Sequence, residues 1–177
     1  YVQKFNFGLK EAGMAAGIFG LLALFARAFG GIISDKVALK RGLDARTEIL
    51  FMMILGEGLF LMLFSQMNTP VMAILSMTLF GLFTHMACGA TYALVPFIDR
   101  KALGGVAGII GAGGNVGAVA AGFIFKSMPD LQTCLLSLGI MVVVIGCVVL
   151  FIRFSPEHKA REKQLFEKAL LERNEAV

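Results

Sequence analysis

Residues 107–119 read A-G-I-I-G-A-G-G-N-V-G-A-V. Five of these thirteen positions are glycine, and each glycine costs about 1 kcal/mol in a helix interior relative to alanine. Such a density calls for one of two explanations: a loop that cradles a phosphate, or a membrane helix whose backbone lies close to a neighbour or a ligand. The phosphate loop fails on spacing. A G-x-G-x-x-G pattern needs glycine at 111, 113 and 116, but Val116 occupies the last position, no strand-like run precedes it, and no G-K-[ST] ending follows. What fits is small-xxx-small spacing, Gly104 with Gly108, Gly113 with Gly117 and Ala118 with Gly122, which lets another helix backbone approach. Asn115 is the one polar side chain in the densest part, and the bare backbone beside it leaves room for a small ligand. On spacing alone, helix packing and ligand contact both stay open.

The rest of the chain supports the membrane reading. Of its 177 residues 58% are hydrophobic, and the mean hydropathy is +0.81. Apolar runs of about 20 residues can cross a bilayer, and five are present, at about 12–33, 49–65, 71–98, 102–125 and 133–154. The expected fold is an all-α integral membrane protein. Between the first two runs lies a charged loop, Asp35 to Glu48. After Pro156 comes a charged tail with Glu157/Arg161 and Lys168/Glu172 at i,i+4 spacing and a thin apolar stripe (Leu165, Phe166, Ala169, Leu170), the pattern of a solvated or surface-lying helix.

Net charge is +4, with the basic residues clustered between and after the apolar runs. This excludes a nucleic-acid partner, for which a basic stripe with exposed aromatics is expected. Counted on alternate sides of the runs, Lys and Arg divide twelve to three. The positive-inside rule then places the tail and C-terminus in the cytoplasm, with the bundle in a plasma membrane or bacterial cytoplasmic membrane. Cys88, Cys134 and Cys147 all fall inside apolar runs and read as small hydrophobes rather than a disulfide framework. The chain starts at Tyr1 without an initiator Met or signal peptide and has an odd number of spans, so it is expected to be a piece of a larger membrane protein.

Few side chains here carry chemistry. Arg27 interrupts a stripe of small residues, Gly20, Ala23, Gly31 and Ser34, about 12 Å along the helix from Asp35. An arginine at that depth costs about 2.5–3.5 kcal/mol on insertion scales and normally faces a bundle interior or a wet cavity. It is either satisfied structurally or binds an anion. Glu57, between Gly56 and Gly58, is the sole acid deep in a span and is either a proton relay or a protonated, hydrogen-bonded group. In the polar-decorated third run, His85 lines a cavity or donates a hydrogen bond between helices, and Tyr92 is a second candidate cavity-lining group. Pro96 should kink or end that helix. Two histidines, one outside the spans, exclude a bis-histidine haem site within this chain. No Cys/His cluster has metal-ligand spacing, and no nucleophile has a base nearby in sequence. No cofactor, no metal site and no enzymatic activity are expected. A small anion crossing the membrane is the substrate class that remains.

Several segments together resemble a known family. Gly30 to Lys36, G-G-I-I-S-D-K, with Lys40 and Arg41 downstream, resembles the G-x-x-x-D-[RK] loop motif of the major facilitator superfamily. Added to it, F-A-R-A-F-G-G at 25–31, A-C-G-A-T-Y-A-L-V-P-F at 87–97 and G-A-G-G-N-V-G at 111–117 are similar to the nitrate/nitrite porter family. The likeness covers nearly everything up to about Phe154. It implies a twelve-helix fold in two halves, of which these spans are helices eight to twelve, with the seventh helix and the N-terminal half of the same chain as the missing partners. By resemblance Arg27 binds the substrate anion, and Gly113, Gly114 and Asn115 line the route beside it. Gly31, Asp35, Lys36 and Arg41 belong to the loop motif that helps hold the outward-facing state. The glycine usual two residues after the motif's basic position is Ala38 here, and His85 stands where relatives often carry glutamine.

The implied function is transport of nitrate, nitrite or both by alternating access, in contact with membrane lipid. Whether a proton is co-transported or one anion is exchanged for another stays open at this stage. So do a porter for another small anion or metabolite and a structural membrane subunit.

Overall fold

The computed structural model describes residues 8–175, with the side chains of 166, 167, 169, 170 and 172–175 outside that description. It contains α1 (Leu9–Arg41), α2 (Ala45–Gln66), α3 (Pro70–Ile98), α4 (Leu103–Ser127), α5 (Leu131–Val149) and α6 (Pro156–Glu175). The first five are long and apolar enough to cross a membrane, and the chain is an integral membrane protein.

The boundaries follow local chemistry. Asp35 to Glu48, expected as a loop, is helical except at Gly42–Asp44. Charge alone does not end a helix, and Ala38, Leu39, Lys40 and Arg41 are all good helix formers. The break comes at Gly42, with φ 87°, a conformation that a side chain would oppose, and its N–H bonds back to the Ala38 carbonyl at 2.8 Å. Pro96 is tolerated inside α3, two residues before its end. The fifth helix stops at Val149, short of Phe154. There the amides of Leu150, Phe151 and Ile152 turn to carbonyls three residues back, tightening the last turn before Pro156 starts α6. At the other end of α5, Asp130 accepts from the Thr133 amide at 2.7 Å and its hydroxyl at 2.8 Å. These bonds hold its carboxyl below the usual aspartate range.

The helices pack in a row, α1 on α3, α3 on α2 and α2 on α5, with α4 touching α3 and α5 only lightly. Close approach is concentrated at two crossings. At the first, a Cβ on Gly30 would overlap the Met86 carbonyl, and one on Gly89 would overlap the Arg27 carbonyl. The backbones of α1 and α3 are therefore in direct contact. At the second, a Cβ on Gly58 would lie 2.9 Å from the Gly139 carbonyl oxygen, and one on Gly139 2.9 Å from that of Gly58. Around these crossings lie two apolar clusters. One is Leu50, Met53, Ala87, Ala90 and Leu94; the other is Leu61, Cys134 and Leu138, with Ala121 and Ile124 of α4 against it.

The tail is docked rather than free. Arg100 grips Glu162 through both carboxylate oxygens, its Nε donating at 3.2 Å, and Lys159 pairs with Asp44. The hydrogen bond to Glu162 pushes Arg100 further into its charged range. Glu162 is buried, and His158 stacks on Phe154 at 5.6 Å. The expected Glu157/Arg161 pair does not form: both side chains stay exposed, and the contacts that hold α6 are made by the neighbouring Lys159 and Glu162. The Lys168/Glu172 pair, most of the apolar stripe and Lys4 of the charge count lie outside the described residues.

Candidate functional site

Arg27 is set by the first crossing. Ala26, Gly30 and Ser34 form the buried stripe of α1. At 100° per residue Arg27 falls at its edge. Its carbonyl is pressed against Gly89 while its side chain is exposed. Among the described residues that side chain has no ion-pair or hydrogen-bond partner. A guanidinium in mid-helix of a spanning segment belongs against protein or water rather than hydrocarbon. Its planar fork is suited to two-pronged hydrogen bonding to a planar oxyanion.

The glycine helix presents a second open surface. Gly113, Gly114 and Asn115 are exposed, α4 buries none of its residues, and nothing lies within 4 Å of a Cβ built on Gly104, Gly108, Gly113, Gly114, Gly117 or Gly122. The close helix approach expected at these glycines is thus found instead at Gly30 and Gly89, because α4 is held mainly at its C-terminal end. The nearest approach to the glycine run comes from Tyr92, whose hydroxyl is 3.8 Å from a Cβ position on Gly111. Tyr92 keeps 43% exposure, with its phenol beside the bare α4 backbone at Gly111. The Asn115 amide makes no side-chain hydrogen bond among the described residues.

His85 resolves the other way. It is 7% exposed, its Nε2 meets the Phe19 carbonyl at 3.1 Å, and its ring lies 4.9 Å from that of Phe19. It bonds α3 to α1 and is buried between them. The reason is local: Gly81, one turn earlier, lets Phe19 sink against α3 and brings its carbonyl within reach. Glu57 is half-buried and meets the Thr84 side chain across α2 and α3.

The loop motif carries a residue that the motif itself does not name. Asp35 bonds Arg46 at 2.5 Å, and the same Nη1 lies 3.5 Å from the Ser34 hydroxyl. The guanidinium stacks 4.3 Å over the Phe97 ring, a cation–π contact of about 0.5–2 kcal/mol. Arg46 is the buried partner, with a side chain 9% exposed against 59% for Asp35. One signal in the sequence could have flagged it. A cation in the first turn of α2 sits at the positive end of the helix dipole and needs an acid nearby. Arg41 pairs with Glu48 at 2.8 Å. Gly31 sits half-buried against the Gly89 carbonyl, and Lys36 is exposed without an ion-pair partner among the described residues.

These features, a loop motif at the junction of two spans and an unpaired intramembrane arginine on the preceding helix, agree with a comparison against known families. The profile of the Major Facilitator Superfamily matches residues 1–175. The chain belongs to the Major Facilitator Superfamily. Relatives within it are nitrate transporters by name. The chain is 35% identical to "High affinity nitrate transporter 2.5" of Arabidopsis thaliana over 156 residues, covering 87% of this chain and 31% of that one. It is 35% identical to "Nitrate transporter 2.2" of Chlamydomonas reinhardtii over 160 residues, covering 86% and 31%. It is 33% identical to "Nitrate/nitrite transporter NrtP" of Nostoc punctiforme over 155 residues, covering 86% and 30%. The chain thus spans about 31% of the length of the first of these relatives. No solved structure matches it. Its described residues hold one exposed intramembrane arginine, one glycine-rich helix with an open face and one loop motif braced by Arg46.

Proposed function

We propose that this chain is part of a porter that carries nitrate or nitrite across a membrane by alternating access. The observation that carries the reading is Arg27, a mid-membrane guanidinium without a partner among the described residues, in a chain whose relatives are named as nitrate transporters. Arg27 binds the planar anion through two parallel N–H donors, and the rest of the porter closes over it from the other side. Gly113, Gly114 and Asn115 line the route, where the absence of side chains leaves room for a small anion and Asn115 supplies an amide donor. Tyr92 stands beside that route. The loop motif, Gly31, Asp35, Lys36 and Arg41 together with Arg46, braces the junction of α1 and α2 while the two parts of the porter rock.

The charge split supports a cytoplasmic loop-motif end and C-terminus, in a plasma membrane or bacterial cytoplasmic membrane. A fluorescent or protease-sensitive tag after Val177 checks that side. Uptake of labelled nitrate by the complete protein tests the substrate. Nitrite and chlorate should compete, and carboxylates should not. Effective competition by carboxylates, with nitrate itself not accumulated, would assign the porter to another anion. Driving uptake with an imposed pH gradient, or with nitrite preloaded inside, separates proton symport from exchange.

A further inference from the structure

At the loop-motif end, the last turn of α1, the Gly42–Asp44 turn, the start of α2, Phe97 and the first turns of α6 enclose a cavity of about 680 Å³. Five cations line it: Lys40, Arg41, Arg46, Lys159 and Lys163. The acids lining it are Asp44 and Glu162. Just outside, Asp35, Glu48 and Arg100 hold three of the lining groups in ion pairs. Lys40 has no ion-pair partner among the described residues, so its charge is not neutralised within the cavity.

A second observation points to a ligand. Arg46 lines this cavity with a side chain only 9% exposed, and its Nη1 is committed to Asp35 and Ser34 while its Nε donor meets no acceptor; on the same lining Asp44, paired with Lys159 through Oδ2, leaves Oδ1 without a donor. A buried charged donor left unmet is disfavoured unless an acceptor arrives. Leu39 and Phe97 add an apolar wall, and Leu39 is exposed beside it at the end of a membrane-spanning helix. That is the depth at which lipid headgroups lie, and basic pockets between helices at that level suit anionic headgroups.

We propose that this cavity binds a phosphate group, carried by an anionic phospholipid headgroup or supplied as free phosphate. Its oxygens accept from the Arg46 Nε and from Lys40 and Lys163, joining α1, α2 and the tail helix α6 through one anion. The site is separate from Arg27 and does not depend on nitrate being the transported anion.

The test uses the complete protein purified in detergent. Native mass spectrometry and thermal shift are run with phosphatidylglycerol, phosphatidylcholine and inorganic phosphate as separate probes. Phosphatidylglycerol should be retained and should raise the melting temperature, and the double variant Lys40→Gln/Lys163→Gln should weaken that by about tenfold. Lys101→Gln, an exposed cation at the same end that does not line the cavity, should leave it unchanged. An equal shift with inorganic phosphate makes free phosphate the source; a shift with phosphatidylglycerol alone makes it the headgroup. Should the double variant fail to fold, Lys40→Gln alone serves, since Lys40 is exposed and has no ion-pair partner among the described residues, with a loss of about threefold expected. Binding by none of the probes, or variants that bind as well as the parent while folded, would overturn the site.

Discussion

Gly30 and Gly89 have no room for a methyl group, whereas nothing lies within 4 Å of where one would go on Gly113, Gly114 or Gly117. The first pair permits two helix backbones to touch, and the gain from that contact offsets the helix cost of glycine within this chain. Gly113, Gly114 and Gly117 of α4 carry the same cost with no contact among the described residues to offset it. Their compensation has to come from something that approaches α4 from outside, and a small anion with the rest of a porter is what the proposed function supplies. The arginines repeat the contrast. Arg46 is buried, stacked and ion-paired, while Arg27 is exposed and has no partner among the described residues.

This contrast can be broken by substitution, read as the apparent melting temperature and monodisperse yield of the complete protein. Gly30→Leu should have the largest effect, more than about 3 kcal/mol and near-complete loss of folded protein, because the obstacle is a backbone that cannot repack. Gly58→Val should cost about 1–3 kcal/mol, since the Val143 side chain can yield part of the space although the Gly139 carbonyl cannot. Arg46→Ala should cost roughly 1–3 kcal/mol, below the figure for a fully buried pair because Asp35 remains solvated. Gly114→Ala should not lower the melting temperature and should change the stability by between zero and a gain of about 1 kcal/mol. A Gly114→Ala protein as damaged as Gly30→Leu would erase the distinction between the two glycine sets.

How much of this was legible in the sequence depends on how local each feature is. The five spans were, because an apolar run of sufficient length carries its own signal. Arg27 was, because one charge in such a run stands out. The stretch from Asp35 to Glu48 was misread because charged residues suggest a loop, yet only Gly42 breaks the helix there. Which glycines sit at crossings depends on which helices become neighbours, so the densest run drew attention while the isolated Gly30 and Gly89 made the contact. The choice at His85 turned on a carbonyl 66 residues away. Arg46 and the docking of α6 are pairings across turns and between distant segments. Spacing within one helix says nothing about either.

The most direct test of the central claim is labelled-nitrate uptake by the complete protein carrying Arg27→Lys, with its membrane abundance and melting temperature measured alongside. Lysine keeps the charge and loses the planar fork. The account predicts unchanged abundance and stability with uptake reduced by about tenfold or more, equivalent to roughly 1.4 kcal/mol or more of lost interaction with the anion. Uptake at the parent's rate and affinity from the same amount of folded protein would contradict it.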